Sequence, residues 1–513
     1  MAEGRRFPRA CVASAHHLAS SVGLSVLADG GNAMDAAVAT NLTMGVVAPY
    51  LCGYGGDVFA LVWHEREAHG YLGSGRAPMA ATREAVTAAV GAAMPFRGPF
   101  TVTVPGAVRG WFDLLERFGT RSFAELARPA YRYARDGFEL STAGGLAFQF
   151  LGGHQGREWH EVYGEAAPGR LLRQPGLAKT IEVLSEDGPE PYYSGPIATA
   201  IAEAVQGEGA LLAVDDLRAH HGEWCQPLSA PYRALEVLEL PPPTQGVTAL
   251  QMLRMLDRLG PLPGDAVERT HRMVEVVKQA MVDRDAFVTD PDHMPVDPAD
   301  LLTDEWIRER CERIDPARAV QPGPAERRPG GTTYICAADA DGLLVSLIQT
   351  NFEDFGSGVT VPEWGINLQN RGAMFSLDAR HVNVVAPGKR SLHTLIPALA
   401  LRDREPAFVF GTMSGDTQPM VHLQLLARLV DDAADVQEAL DAPRWRVMPG
   451  DWRVLAEPGV GGKVVEGLRS RGHVVETTGE LDVKMGHAHA IAVTPHGYAA
   501  GADPRSEGLA LGF

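Results

Sequence analysis

Arg328-Pro329-Gly330-Gly331-Thr332-Thr333-Tyr334-Ile335-Cys336 is the stretch on which the reading of this chain turns. A Pro/Gly/Arg-rich, flexible segment from about Asp315 to Gly331 runs straight into a β-rich run that opens on threonine. That arrangement suits a chain that cuts itself at the Gly331–Thr332 bond and then uses the new N-terminal threonine as a nucleophile. Such a residue carries hydroxyl and α-amine on one framework, so a base sits beside the nucleophile by covalent construction. The unperturbed amine titrates at about 7.7–8.0 and is partly neutral near pH 7. A domain linker followed by an ordinary strand is the plainer reading, and on this stretch alone it is favoured, since most Gly/Pro segments only connect.

The next residues change that weighting. Thr332 to Ala338 reads as one strand, Asp339-Ala340-Asp341-Gly342 as a turn, and Leu343 to Thr350 as a second strand. An Asp-Gly turn between apolar runs is a strong hairpin signal. Folding about Ala340 and Asp341 brings Thr350 opposite the Gly331–Thr332 bond. Paired side chains there have Cβ atoms about 4.5–5.5 Å apart, close enough for one hydroxyl to steady the other or the amine. A solvent-side threonine pair is the plainer alternative.

The 513 residues carry a formal net charge of −18. This argues against nucleic acid or an anionic membrane as the main partner, because nothing neutralises phosphate over a continuous surface. Five cysteines (Cys11, Cys52, Cys225, Cys311 and Cys336) lack framework spacing, which points to reduced thiols in a cytoplasmic setting. The start, Met1 to Pro8, has no apolar core of the signal-peptide kind. No apolar run approaches the roughly 20 residues a membrane span needs.

Along the chain, helical spacing runs from the cap Asn32 to Ala48, from Phe123 to Tyr133, from Ile197 to Val205, and from His271 to about Phe287. Strands are read at Val58–Trp63, Leu235–Leu240 and Ala407–Gly411, with later ones around Val474 and Ile491. A helix is read over Pro419–Leu429. Strands alternating with helices, with hairpins in the second part, indicate a layered α/β or α+β architecture.

Taken together, several segments resemble the γ-glutamyltransferase family of N-terminal-nucleophile hydrolases, over nearly the whole chain. They are Gly30-Gly31-Asn32-Ala33-Met34-Asp35-Ala36-Ala37, Gly53-Tyr54-Gly55-Gly56, Arg76-Ala77-Pro78, Pro105-Gly106, Pro242-Pro243-Thr244-Gln245-Gly246 and Lys278 to Arg284. Gly331-Thr332-Thr333, Phe355-Gly356-Ser357-Gly358, Pro387-Gly388-Lys389-Arg390 and Asp503-Pro504-Arg505-Ser506 complete the set. The resemblance implies an α+β fold, a four-layer αββα sandwich. It also implies one precursor split into a large subunit, residues 1–331, and a small subunit, residues 332–513. Thr332 would attack the Gly331 carbonyl, and later an acyl donor. Thr350 falls at the family's second threonine. Ser414 and Gly415, in Gly411-Thr412-Met413-Ser414-Gly415-Asp416, fall where the family places two glycines of its oxyanion hole. The chemistry needs no metal or organic cofactor. The partner it implies is a small acyl or amide substrate, with pairing of the heterodimers into a larger assembly left open.

The departures from the family fall on the substrate pocket. The aspartate for the donor's α-ammonium is matched by Met374. The carboxylate-binding arginine aligns near Ser74, with Arg76 displaced by two positions. An asparagine after the second threonine becomes Phe352, and the paired serines become His393 and Thr394. A substrate ammonium buried without its carboxylate loses on the order of 2–5 kcal/mol. These changes favour a less polar acyl group, or one with a carboxylate and no α-amine, as in the amidase- and acylase-like branch that shares Gln369-Asn370-Arg371-Gly372. Arg371 is then a candidate for an acidic substrate group, level with a structural ion pair. His393 is read as a polar contact or a proton shuttle. The His487-Ala488-His489 pair has no third ligand in sequence and is read as a satisfied structural pair. The expected activity is hydrolysis of a small N-acyl or oxamate-like amide. The alternatives are C–C bond hydrolysis of a keto-acid intermediate in a specialised pathway, true γ-glutamyl hydrolysis or transfer, and an uncleaved binding protein.

Overall fold

The Asp339–Gly342 turn closes a hairpin that lies in the middle of a large sheet. The structure, a computed structural model, describes residues 4–153, 155–328 and 330–513; Met1 to Glu3, His154 and Pro329 of the opening stretch lie outside them. Fourteen strands form two seven-stranded sheets. In chain order they are β1 (Arg5–Phe7), β2 (Cys11–Ser14), β3 (Asp57–His64), β4 (Glu67–Gly73), β5 (Glu223–Cys225), β6 (Leu228–Tyr232) and β7 (Leu235–Glu239). The second part adds β8 (Thr333–Ala338), β9 (Leu344–Thr350), β10 (Ala398–Arg402), β11 (Glu405–Thr412), β12 (Ala488–Thr494), β13 (Gly497–Ala502) and β14 (Leu509–Gly512). The hairpin sheet runs β14-β2-β8-β9-β3-β4-β5, and the other runs β1-β13-β12-β11-β10-β7-β6. The hairpin pairs antiparallel with β2 on one side and β3 on the other.

Both hairpin strands are buried along their whole length, because the sheet is covered on both faces. Successive side chains point to opposite faces of a strand. Ile335, Ala337, Val345 and Leu347 enter a helical core, while Tyr334, Cys336, Leu344 and Ile348 meet the second sheet. Each fully buried aliphatic side chain stabilises by roughly 1.5–3 kcal/mol over an exposed one. The two cores therefore fix the strand that Thr332 immediately precedes, which starts at Thr333 rather than at Thr332.

Helices α1 (His17–Ala28), α2 (Ala33–Val47) and α3 (Thr142–Gly152) lie with the first core. In α2 every residue is buried, and Asn32 and Asp35 close its start with reciprocal backbone–side-chain bonds of 2.9 Å. Helices α4 (Gly246–Arg258), α5 (Ala266–Phe287) and α6 (Thr417–Leu426) cover the outer face of the second sheet. The layers are thus helix, sheet, sheet, helix, the αββα sandwich that the family resemblance implied.

Some boundaries differ from the sequence reading. Helix α5 starts at Ala266 rather than His271, because Asp265 caps it by accepting from Val267 N and Glu268 N. Helix α6 starts at Thr417 and passes at Ala427 into a π turn that runs to Asp431. The strand near Val474 is only Val475–Thr477, in a separate three-stranded sheet. The Pro/Gly/Arg-rich segment before Thr332, read as flexible, is pinned at several points. His271 Nε2 meets Asp315 O at 2.8 Å, Lys278 Nζ meets Val320 O at 3.1 Å, and Trp452 Nε1 donates to Gly323 O at 3.0 Å. Local composition reports what a segment lacks and is silent on partners hundreds of residues away. No helix among the described residues is long and apolar enough to cross a membrane.

Candidate active site

The hairpin register pairs Thr333 with Gln349, which carries Thr332 to a place opposite Thr350. Their Oγ1 atoms lie 3.4 Å apart, and each hydroxyl donates to the Gly331 carbonyl oxygen at 2.5 Å. Thr350 Oγ1 also accepts from Phe352 N at 2.7 Å, so its single proton is committed to that carbonyl. Gly331 N donates to Phe352 O at 2.5 Å. The 350–352 strand end therefore grips both sides of the Gly331 peptide. To do so, Phe352 adopts φ +78°, a conformation that costs on the order of 1–3 kcal/mol in a residue other than glycine.

A second loop approaches from β11. Ser414 and Gly415 have φ +94° and +49° and precede α6, at the positive end of its dipole. Neither backbone N–H has a hydrogen-bond partner among the described residues. Gln245 Nε2 holds the loop from behind, donating to Gly415 O and Thr394 O at 2.9 Å each. Gln245 Oε1 accepts from Arg284 Nη1 at 3.2 Å, and Arg284 pairs with both Asp285 and Asp416. Asp416 in turn accepts from Arg328 N, tying the segment before Thr332 to the same buried cluster. The loop does not bond the Gly331 oxygen. It packs on Gly330, whose Cβ, were there one, would sit 3.3 Å from Gly415 Cα.

Two cavities flank the peptide. One of about 600 Å³ is bordered by Gly331, Ser414, Glu353 and Arg446. The other, of about 630 Å³, is bordered by Phe96, Arg328, Phe352 and Met374. Beneath Phe352 lies Arg371, 1% exposed, with its guanidinium carbon 4.1 Å from the ring centroid. None of its three guanidinium nitrogens has a hydrogen-bond partner among the described residues. Burial, offset by the nearby Asp57 charge, lowers its pKa to about 9, so it remains a cation at neutral pH. Burial pushes Asp57 up to about 7 against the pull of Arg371. An unpaired buried guanidinium is costly, and its five donors are free to meet an anion.

The sequence matches the model of the gamma-glutamyltranspeptidase family over residues 19–513. The chain belongs to that family. It is 36% identical over 520 residues to the glutathione hydrolase-like YwrD proenzyme of Bacillus subtilis (strain 168), covering 98% of each chain. It is 37% identical over 519 residues to the oxamate amidohydrolase proenzyme of Klebsiella pneumoniae, covering 97% of each. Among solved structures it superposes on the cephalosporin acylase of Bacillus halodurans with a TM-score of 0.95 at 36% identity, over 100% of this chain and 97% of that one. It is an enzyme of the gamma-glutamyltranspeptidase family, of the amidase- and acylase-like kind.

Within this family frame, Gly331, Thr332, Thr350, Phe352, Ser414 and Gly415 come together at one point, with Met374 on the wall of the second cavity and Arg371 behind Phe352. Other residues singled out in the sequence lie apart. Arg76 is drawn into ion pairs with Glu223 at 2.8 Å and Asp290 at 3.6 Å and borders neither cavity. Ser74 is buried, with its Oγ unpartnered among the described residues. His393 also borders neither cavity. Its Nδ1 accepts from Leu395 N at 3.3 Å, which leaves the Nε2 proton for Asp57 at 3.2 Å. Burial holds it well below its ordinary pKa, so it is a fixed neutral ring rather than a shuttle. Thr394 acts through its carbonyl, which anchors Gln245, while its hydroxyl is unpartnered among the described residues.

The His487/His489 pair is not satisfied as expected. Both His487 nitrogens and His489 Nε2 lack partners among the described residues, because the neighbouring Asp503 is taken by Arg444 and Arg505. The His/Glu grouping whose ligand atoms do converge is His271, Glu275 and His473. Its atoms are occupied with one another and with Lys278, at 2.7 Å from Glu275 and 2.8 Å between the rings. Sequence reasoning missed the roles of Asp57, Gln245, Arg284 and Asp416. Gln245 and Arg284 sit inside family segments, and Asp57 directly follows Gly53-Tyr54-Gly55-Gly56, but nothing local gives them partners.

Proposed function

We propose that this chain is a precursor that cuts itself between Gly331 and Thr332, and that the freed Thr332 hydrolyses a small amide whose acyl group carries a carboxylate. The observation that carries this reading is the Gly331 carbonyl oxygen, held at 2.5 Å by the hydroxyls of both Thr332 and Thr350. Thr332 Oγ1 adds to the Gly331 carbon while Thr350 holds the oxygen. The C–N bond then breaks, its nitrogen takes the proton, and water opens the resulting ester to leave a Gly331 carboxylate and a free Thr332 amine. In turnover that amine accepts the Oγ1 proton as Thr332 attacks the substrate carbonyl. Ser414 N and Gly415 N receive the oxyanion, the substrate amine leaves with the proton, and water resolves the acyl-enzyme.

Gly331 is itself the first acyl group attacked, so the substrate's acyl part takes the place of Gly330 and Gly331, which border the 600 Å³ cavity, with Phe352 and Met374 bordering the neighbouring one and Glu353 lining both. Arg371 borders neither cavity and lies behind Phe352, where its unpaired charge draws an acyl carboxylate. Met374 offers no charge to an α-ammonium, which disfavours γ-glutamyl donors. The similarity to an oxamate amidohydrolase supports an acyl group of this kind. Five free thiols, with Cys11 and Cys336 unbridged in one core, fit a cytoplasmic enzyme. Intact mass of the purified protein tests the first step. Two fragments matching 1–331 and 332–513, and a single chain for Thr332→Ala, are expected; a single chain in both refutes it. Ammonia release from oxamate, compared with release from a γ-glutamyl anilide, tests the second.

A further inference from the structure

Glu353 stands three residues after Thr350, and its carboxyl has no ion pair and no hydrogen bond among the described residues. Its backbone is fixed at both ends, since Glu353 N donates to Asn370 Oδ1 at 3.1 Å and Glu353 O accepts from Gly356 N at 2.8 Å. The strained residues Phe352 and Asp354 flank it. Asp354 is taken by Arg97 at 2.6 Å, so Glu353 is the unpaired acid of the two. The side chain is partly buried and lines both of the cavities that flank the Gly331 peptide. Arg327 lines both as well, but it belongs to the segment before Thr332 that self-cleavage would free at its end, whereas Glu353 lies after the cut.

An acyl group in the place of Gly330 and Gly331 meets this side chain whichever cavity its acid end enters. Arg371, which draws that end, lies behind Phe352, the chain neighbour of Glu353. Two carboxylates that share one site do not both stay ionised without a large cost, so one of them gains a proton. The charged groups facing Glu353 are Asp354, Arg97, Arg327 and Arg446. Burial and Asp354 outweigh the three arginines and push its pKa up to about 7, so both charge states are populated near neutral pH. Protonated, the carboxyl donates a hydrogen bond to a carboxylate; ionised, it repels one. We propose that Glu353 is a specificity residue whose carboxyl touches the acid end of the acyl group, admitting it when protonated and rejecting it when ionised. This rests on the reading that the acyl group carries a carboxylate.

The test compares oxamate with oxamide, which differ in charge and little in shape. KM for each is measured from ammonia release, between about pH 6 and about pH 9, for wild type, Glu353→Gln and Glu353→Asp. In wild type KM for oxamate is expected to rise by up to about tenfold per pH unit above about pH 7, while KM for oxamide changes far less. Glu353→Gln is expected to lower KM for oxamate about tenfold or more at about pH 8.5 and to flatten most of the rise, and Glu353→Asp to keep the rise. The freed Thr332 amine, unperturbed at about 7.7–8.0, titrates in the same range, and the part of the rise that it causes remains in Glu353→Gln. A rise as steep in Glu353→Gln as in wild type overturns the proposal, as does an oxamate KM in alkaline buffer that the substitution leaves unchanged. If Glu353→Gln does not fold, loss of the rise in Glu353→Asp counts against it. Oxamate that is neither hydrolysed nor bound at about pH 6, by wild type and Glu353→Gln alike, would instead refute the acyl-carboxylate reading and the proposal with it.

Discussion

Replacing Thr350 by valine separates the two hydroxyls around Gly331 with almost no change of shape. The methyl that replaces Oγ1 can neither donate to the Gly331 oxygen, now 2.5 Å away, nor accept from Phe352 N, now at 2.7 Å. The first loss removes a donor from the site where negative charge develops during self-cleavage. Loss of one such donor lowers rates by about 10²–10³. The second loss leaves a buried N–H unpaired, at about 1–3 kcal/mol of folding stability. Thr350→Val is therefore expected to fold with reduced stability and to cut itself some hundredfold or more slowly. The conversion of the 55.0 kDa chain to fragments, followed by intact mass after purification, gives the rate. Thr350→Ser keeps the hydroxyl and is expected to stay within severalfold of wild type. Cleavage of Thr350→Val at the wild-type rate would refute the reasoning, since the carbonyl oxygen would then need no help from this residue.

Arg371→Met removes a buried cation that has no hydrogen bonds to lose, so stability is expected to hold or rise in chemical denaturation, while KM for a carboxylate-bearing amide rises about tenfold or more. Unchanged KM with lower stability would mean that Arg371 is only structural. Asp57 has its pKa raised to about 7 in the folded protein, against an ordinary 3.8. Its stabilising share is thus complete below about pH 4 and is lost as pH rises through 7, by on the order of 4 kcal/mol at most. Asp57→Asn is expected to flatten the fall in stability between those limits, and a slope identical to wild type would count against it. Ser414→Gly relieves the φ of +94° and is expected to stabilise the fold by about 1 kcal/mol or more in urea titrations, at the loss of the weak Ser414 Oγ contact to Lys484 O at 3.3 Å.

How much of this was legible in the sequence follows from how local each signal is. The hairpin was readable because its turn and strands are contiguous, and its register followed from counting outward from Asp339 to Gly342. The cap at Asn32 was likewise written three residues from its partner Asp35. The family segments gave the αββα layers and the meeting of Thr332, Thr350 and Ser414, which no periodicity shows. Partners distant in sequence were not readable. Arg76 looked like a displaced carboxylate ligand until Glu223, 147 residues away, took it into an ion pair. His393 looked like a pocket residue until its bond to Asp57, 336 residues away, fixed its proton. The segment before Thr332 looked loose because its restraints come from α5 and from Trp452.

Part of the backbone strain lies where the chain would be cut, with Arg233, Ala433, Trp452 and Leu481 strained elsewhere. Phe352 and Asp354 on one side of Gly331, and Ser414 on the other, all have φ above +50°, whereas Glu65, Arg66, Asp403 and Arg404 with similar angles sit in hairpin turns. Conformations of this kind persist only where neighbours over-determine them. For Phe352 the neighbours are the Thr350 hydroxyl on its N–H and the Gly331 N–H on its carbonyl. For the 414–415 loop they are Gln245 on the Gly415 carbonyl and the Gly330 backbone against its face. In each case one restraint belongs to Gly330 or Gly331, immediately before Thr332, and one to the rest of the framework. Cutting the chain would remove the first of each pair and keep the second. On the proposed cleavage, the peptide before Thr332 would shape the site as well as fill it, and Thr350 and Gln245 are the two residues placed to preserve that shape afterwards.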